Sequence, residues 1–556
     1  MHVVLQRMPD GAVRVTDVDG DAAGAVRDVA PTDLPHLVRE REGARPRWVW
    51  GATTEWYPEL LAAGVRVERA ADLRLRRAIL RAAVATAGSD LARGPRDDWD
   101  DAATAAPPDA ATTLFDLAPA RHEPDPVQEF RRQQAAVADA ADPARLELLL
   151  AAESVGALAA AEMRFAGLPW SAERHDALLR AQLGDPVAGG RPTRLEAAAD
   201  AVRAALDAPA LNPDSQPDLL RALRHTGLAV DSTSKWELAR HEHPAVPVVL
   251  EYKALSRLLT ANGWAWLDEW VHDGRFRPVY VPGGVVTGRW ATDGGGALQL
   301  PKAIRAAVVP DPGWRLVVAD AAQLEPRVLG AMSRDTALAR AGAAADLYQG
   351  MVDAGAVETR QQAKYGVLGA IYGGTTGESG RMRPRIERAY PAAFGYVEAA
   401  ARAGERGEVV STWLGRGSPP GDADAYDETA PPSVREAARR RARERGRFTR
   451  NFVVQGTAAE WALCWIGALR RRLWQIGGAD EGPPAAGDGG PGVLDRPHLV
   501  FFVHDELVVH APAGVADRVA EAMRESAAEA GRLLFGETPV EFAVSVAVVD
   551  SYADAK

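Results

Sequence analysis

Residues 498–512 read HLVFFVHDELVVHAP. Two apolar runs of strand length meet there at His504, Asp505 and Glu506. Tight turns ordinarily draw on Gly, Asn and Asp-Gly pairs, and this tip offers three titratable residues and no glycine. Adjacent acids repel unless a cation sits nearby, so the tip reads better as a place for a cation than as a plain solvated turn. Upstream, residues 314–335 read WRLVVADAAQLEPRVLGAMSRD. An apolar strand ends in Asp320 and a helical pattern follows; taken alone, Asp320 reads first as the cap of that helix. Taken with Asp505, it reads as half of a shared site, because carboxylates on adjacent strands can be brought together by divalent metal. Mg²⁺ prefers few carboxylates, several waters and substrate phosphates, which suits phosphoryl transfer.

A third stretch, residues 358–377, reads ETRQQAKYGVLGAIYGGTTG. Arg360, Lys364, Leu368 and Tyr372 recur every fourth residue, and each such step drifts by about 40° around a helix. Arg360 and Lys364 therefore share a face, where a guanidinium fork and an ammonium suit a triphosphate tail. Gly366, Gly369 and Gly373 each cost about 1 kcal/mol in a helix, which predicts something flat packed closely against them. Lysine is scarce: Lys235, Lys253, Lys302, Lys364 and Lys556 are the only five.

The chain has 556 residues, 47% of them hydrophobic, and a formal net charge of −11. That length supports more than one domain. The acidic balance argues against nucleic acid for the protein as a whole, but residues 435–450, REAARRRARERGRFTR, carry eight arginines against Glu436 and Glu444. A binding groove needs only a basic face; a solvated helix with salt-bridged arginines fits the same run equally well. Cys464 is the only cysteine, so an internal disulfide and a cysteine metal cage are excluded and a reducing, cytoplasmic setting is expected. No run approaches the roughly 18 uninterrupted apolar residues of a membrane span, and the opening MHVVLQRMPDG lacks the apolar stretch of a signal peptide.

Residues 1–85 pattern as a small α/β unit. HVVLQR and AVRVTDV flank a turn at Met8–Gly11, RWVWGA reads as a buried strand, and DLRLRRAILRAAVA as an amphipathic helix. Residues 86–145, rich in Ala, Asp and Pro, read as a linker. LELLLAAESVGALAAAEMRFAGL and VVLEYKALSRLLTANGWAWLDEW read as long helices. From about residue 276 short β-rich runs bracket a helical block over 334–475, and residues 477–492 read as a loop.

In this order the three stretches resemble the polymerase motifs of family A DNA polymerases, the DNA polymerase I type, and the resemblance runs from about residue 146 to the C-terminus. Asp320-Ala-Ala-Gln323-Leu-Glu325-Pro-Arg327 stands for the family's Asp-Tyr-Ser-Gln-Ile-Glu-Leu-Arg. Arg360, Lys364, Leu368, Gly369, Tyr372 and Gly373 stand for its second motif, and His504-Asp505-Glu506 for its third. Thr287-Gly288-Arg289, Leu298-Gln299 with Pro301, and Arg447, Asn451 and Gln455 are lesser matches. The resemblance implies metal ligation by Asp320, Asp505 and the Ala321 carbonyl, with Glu506 and Lys364 in the catalytic set and two Mg²⁺ ions, replaceable by Mn²⁺. It implies nucleotide binding by Arg360, Lys364, Tyr372, Gln323, Tyr348 and Leu368, and exclusion of a 2′-hydroxyl by Glu325. It implies primer–template contacts from Arg289, Thr287, Gln299, Arg447, Asn451, Gln455 and His504. Ala321, Ala322, Leu368 and Tyr348 depart from the family's Tyr, Ser, aromatic and His.

The implied fold is α/β multidomain: a small exonuclease-like, ribonuclease H-like domain followed by a right-hand polymerase. Residues 1–145 would hold a degenerate 3′–5′ exonuclease-like domain with linker 86–145. Residues 146–556 would hold the polymerase, with thumb about 190–275, palm about 276–345 and 455–556, and fingers about 346–454. No Asp-x-Glu precedes residue 150, and Asp17, Asp19 and Asp21 look like a solvated turn, so proofreading is not expected. Expected partners are primer–template DNA and deoxynucleoside triphosphates, bound by a monomer in replication or repair, without a membrane. The alternative is a catalytically impaired or non-catalytic primer–template-binding protein on the same fold. A nuclease would require an acid tetrad, and a single-subunit RNA polymerase is disfavoured by Glu325 and the His-Asp-Glu triplet.

Overall fold

The computed structural model describes residues 1–20, 22–101, 124–343, 346–374, 377–421, 431–477 and 492–555. Asp21, residues 102–123 of the expected linker and residues 478–491 of the expected loop lie outside them. The chain divides into two compact units: Met1–Ala166 with Val279–Asp293 and Gly313–Val548, and Gly167–Pro278 with Gly294–Pro312 and Val549–Lys556. The expected boundary at residue 145 therefore does not separate two units; the N-terminal sheet belongs with the sheet that carries Asp320.

In the first unit, the N-terminal sheet has five strands in the order Ala22–Val29, Val13–Asp19, His2–Arg7, Arg47–Trp50, Ala70–Asp72. The first three pair antiparallel and the last three parallel. Strand alternation sends Val3, Leu5, Trp48 and Trp50 to one face with Trp56, Tyr57 and Leu60. It sends Val4, Val18 and Val49 to the other, where Trp99 and Phe130 cover them. This corrects the linker reading of 86–145 in its described parts. Asp97–Asp101 and the helix Pro126–Ala138 are folded onto the sheet. Two large aromatics spaced far apart in a polar stretch suffice to bury that face.

Helix Pro143–Ala166 is buried around most of its circumference, because it packs against helix Thr53–Ala62, helix Pro432–Ile476 and strand His498–Val503. One joint is polar. Tyr57 Oη donates to Glu162 at 2.6 Å, and Arg470 donates to the same carboxylate from Nε at 2.7 Å and Nη2 at 2.6 Å. Arg66 lies 3.5 Å from it. Burial alone would raise Glu162; Arg470 and Arg66 overcome it and hold the carboxyl below its ordinary range.

The second sheet runs His498–Val503, Glu506–Pro512, Trp314–Ala321, Val544–Val549. Helix Ala516–Phe535 covers it with a stripe of Val519, Met523, Ala527, Ala530 and Leu534. Helices from Leu324 to Ile476 are inserted between its strands, as the texture of the sequence predicts. The last of them, Pro432–Ile476, is 45 residues long. Among the described residues it is the one helix long and apolar enough to cross a membrane, and 89% of its apolar window is buried inside the protein.

Glu460 on that helix accepts from Thr412 Oγ1 and, at 3.0 Å, from the Leu414 N–H; Arg416 and Glu153 stand beside it. Burial pushes its carboxyl up from 4.5 to about 7. An unfolded glutamate gives up its proton first, so between those values the folded chain holds more protons. Stability should therefore fall as pH rises from about 4.5 to about 7, by up to roughly 3 kcal/mol, and flatten above. Melting temperatures across pH 5–8 check this; in Glu460→Gln that part of the slope should vanish.

The second unit is helical. Leu195, Ala199, Val202, Leu219, Leu223 and Val249 form its core. The long helix expected over VVLEYKALSRLLTANGWAWLDEW is two, Ala245–Asn262 and Trp264–Trp270. At Gly263 the backbone turns extended, and a Cβ there would collide with the Leu259 carbonyl.

Candidate active site

Val503 pairs with Glu506 across the hairpin, leaving His504 and Asp505 as its two turn residues. His504 adopts φ +56°, a left-handed conformation that costs a non-glycine residue about 1–2 kcal/mol and is retained mainly where function needs it. Strand Trp314–Ala321 lies antiparallel to Glu506–Pro512 with Asp320 opposite Glu506. The Ala321 N–H donates to the Asp505 carbonyl at 2.9 Å. Asp320 and Asp505, far apart in sequence, thus sit one step apart at one end of the sheet, both half-buried, with Glu506 buried beside them. Asp320 does not cap the next helix: Gln323, itself left-handed at φ +53°, precedes Leu324–Ser333.

Two carboxylates and the Ala321 carbonyl are a sparse ligand set with open positions, which fits Mg²⁺ sharing its sphere with water and phosphate. No trio of His, Cys, Asp and Glu converges among the described residues, so a closed protein-only cage is not what this site offers.

Glu325 is held from two sides. Arg289 Nη2 donates to Oε1 at 2.5 Å, and Tyr372 Oη donates to Oε2 at 2.7 Å. Burial, the Glu325 charge and that hydrogen bond push the Tyr372 phenol well above its ordinary range. Tyr372 also bonds with Gln455. Residues from three matched stretches therefore meet at one carboxylate.

Helix Arg360–Tyr372 presents Arg360 and Lys364 to solvent, with Leu368 half-buried. Its glycines do not mark a flat ligand. A Cβ on Gly366 would stand 2.6 Å from Ile386, and one on Gly369 2.8 Å from Ser379; the close neighbour is helix Gly377–Ala389. Gly373, at φ +73°, is the left-handed cap of the helix, and Arg447 packs on it.

Gln323 and Tyr348, expected to touch the nucleotide, are committed elsewhere. The Gln323 amide donates to Asp346 at 3.1 Å and accepts from the Leu347 N–H at 2.9 Å. Tyr348 is buried under the Arg360 guanidinium, 5.6 Å from its ring centre, with its phenol pushed up to about 12 by burial and the Glu325 charge. Both brace Asp346, which sequence reasoning missed. Asp346 accepts from Arg360 Nε at 2.6 Å and caps helix Leu347–Asp353. Burial would raise its carboxyl; Arg360 and the capped N–H groups hold it lowered. Its signal was available as an Asp opening the helical run LYQGMVD.

Arg447 is exposed, and Asn451 and Gln455 follow it at four-residue steps on helix Pro432–Ile476. Thr287 is buried beside Arg289. Gln299 belongs to the second unit, where its Oε1 accepts from Arg257 at 3.2 Å.

A family model described as DNA polymerase family A matches residues 215–554. The thermostable DNA polymerase I of Thermus thermophilus is 29% identical over 331 residues, 54% of this chain and 36% of the relative. DNA polymerase I of Chloroflexus aurantiacus is 28% identical over 345 residues, 57% of this chain and 33% of the relative. The chain thus aligns with about a third of each relative's length. Among solved structures, the POL domain of Pol1 from M. smegmatis, in complex with DNA primer-template and dNTP, superposes with a TM-score of 0.64 at 21% identity. The match covers 100% of this chain and 95% of that one.

Proposed function

Because the chain belongs to DNA polymerase family A, we propose that it is a template-directed DNA polymerase adding deoxynucleotides to a primer 3′ end. The observation that carries this reading is the juxtaposition of Asp320 and Asp505 across hydrogen-bonded strands within the matched segment. The family is metal-dependent, and here two Mg²⁺ ions held by Asp320, Asp505 and the Ala321 carbonyl would activate the primer hydroxyl and steady the leaving pyrophosphate. Arg360 and Lys364 would grip the triphosphate, with Lys364 placed to give the pyrophosphate a proton. Asp346 and Tyr348 keep the Arg360 guanidinium extended toward that tail. Tyr372, clamped by Glu325 and Gln455, would carry the templating pair, and Arg447, Asn451, Arg289 and His504 would hold the primer–template.

No proofreading is expected from the N-terminal sheet. Its first strand buries Val3, Val4 and Leu5, and its buried acid, Asp72, spends its oxygens on the N–H groups of Thr53 and Leu75. The test is extension of a labelled primer on a longer template with Mg²⁺ and either nucleotide class. Deoxynucleotides should be added to the template's end, and the same strand without nucleotides should stay full length. Failure to extend a bound primer would leave the non-catalytic alternative standing.

Glu325→Ala should relax sugar discrimination. A side chain walling off a 2′-hydroxyl works by bulk, and a pocket enlarged by about that much loses roughly ten- to two-hundredfold in selectivity. Glu325→Gln, nearly the same size, should lose little. An unchanged ribo-to-deoxyribonucleotide ratio in the active Ala variant would mean that Glu325 serves only to join Arg289 and Tyr372.

A further inference from the structure

The segment Val279–Asp293, which carries Arg289, rests on two buried charges that the proposed reaction does not use. Arg416 Nη2 donates to Glu153 Oε2 at 2.5 Å. Glu153 is 1% exposed and lies on helix Pro143–Ala166, outside the segment that the family model matches. Glu153 Oε1 and Arg416 Nε are buried without a hydrogen-bond partner among the described residues. Both atoms lie against glycine backbone instead. A Cβ on Gly283 would stand 2.8 Å from Glu153 Oε1, and one on Gly288 2.6 Å from Arg416 Nε. Gly288 is left-handed at φ +83°, and its N–H closes a tight turn onto the Val285 carbonyl at 2.7 Å.

Arg416 has little freedom of its own. Its N–H donates to Thr412 Oγ1 at 2.9 Å, and the Thr412 N–H donates back to its carbonyl at 2.9 Å. Thr412 Oγ1 in turn donates to Glu460 on helix Pro432–Ile476. A buried ion pair is a weak source of stability, since apolar residues of the same volume often serve as well; what it can supply is a fixed arrangement. Here the group that it fixes is plain. Arg289 follows Gly288 directly, and its guanidinium reaches Glu325 Oε1, while the other Glu325 oxygen receives Tyr372. A slip of the turn over Val285–Arg289 would carry Arg289 away from that carboxylate.

We propose that Glu153 and Arg416 are positioning residues for sugar selection: by fixing the turn at Gly288 they hold Arg289, and through it Glu325, in the place where a 2′-hydroxyl is refused. The inference rests on the polymerase reading and on Glu325 as the wall. Neither residue touches the nucleotide; each acts through Arg289.

The test compares ribo- and deoxyribonucleotide addition to a primer by the full chain, Glu153→Gln, Arg289→Ala and Glu153→Gln/Arg289→Ala, with kcat and KM measured apart. In Glu153→Gln the preference for the deoxyribonucleotide should relax about fivefold, through a lower KM for the ribonucleotide. Effects of residues on one path do not add, so the double variant should be no more relaxed than Arg289→Ala alone. Glu153→Gln leaves the Arg416 charge unpaired; should it fail to fold, Glu153→Met/Arg416→Met strands no charge and should show the same relaxed preference. An unchanged preference in a folded variant, or an equal loss with both nucleotides, would make the pair a structural brace and overturn the proposal. Additive effects of Glu153→Gln and Arg289→Ala would overturn it too, because Glu153 would then act by another route. If the parent protein does not extend the primer at all, the polymerase reading fails and this inference with it.

Discussion

Primer extension should fall by about a thousandfold or more in Asp320→Ala and in Asp505→Ala, while primer–template affinity stays within a few-fold of the parent. A metal ion contributes several kcal/mol to stabilising the charge of a phosphoryl-transfer transition state, and roughly 4 kcal/mol corresponds to that loss of rate. Duplex affinity, in contrast, comes mainly from basic contacts with phosphate, which neither substitution touches. The two acids sit at the end of the sheet, with their strands held by the Asp320–Glu506 pairing and the Ala321 N–H to Asp505 carbonyl bond, so the backbone frame survives loss of either side chain. Asp320→Asn and Asp505→Asn keep the shape and remove the charge; they should be nearly as inactive. Single-turnover extension with saturating nucleotide and a parallel binding titration separate the two effects. Extension at a tenth of the parental rate by both Ala variants would sink the metal assignment.

The largest stability change is expected at Glu162. Its carboxylate stands between Arg470, which is buried, and Arg66, whose side chain is largely buried, and it also receives the Tyr57 hydroxyl. Removing one member of a buried ion cluster strands the others without compensation and costs about 3–5 kcal/mol. Glu162→Ala should lower the urea midpoint accordingly, and Glu162→Gln should recover only the hydrogen-bonding share. Because Tyr57 and Arg66 belong to the N-terminal sheet region and Arg470 to the long helix, the loss should appear in both at once. Separate transitions, with the long helix unaffected, would show that the cluster does not join them.

The two acids proposed to hold metal were legible as candidates because each stands at the end of an apolar strand, a signal contained within ten residues of sequence. The glycines at 366 and 369 were visible too, but their cause was not: whether a small residue faces a ligand or the next helix depends on where residues 379 and 386 come to lie. Asp346 was missed for a similar reason. An Asp before a helical run announces a cap, and nothing local says that a guanidinium fourteen residues later will share it. The stretch 86–145 was misread because composition averages over Trp99 and Phe130, and two aromatics decide which face of a sheet is covered. Nothing local in the sequence ties the N-terminal sheet to the long helix, since Tyr57, Glu162 and Arg470 meet only in three dimensions.

The sheet that ends at Asp320 and Asp505 joins strands that are distant in the chain, with those two residues about 185 positions apart. The N-terminal sheet, by contrast, closes within the first 72 residues. A ribosome adding roughly 5–20 residues per second would therefore release a finished N-terminal sheet early. The strand ending in Asp320 would then wait for its partner Glu506–Pro512 for something like 10–40 seconds. Non-local pairing of this kind is slow and leaves a strand edge uncovered meanwhile. The order of synthesis thus makes the nascent chain most vulnerable to aggregation while the helices between residues 324 and 476 are emerging.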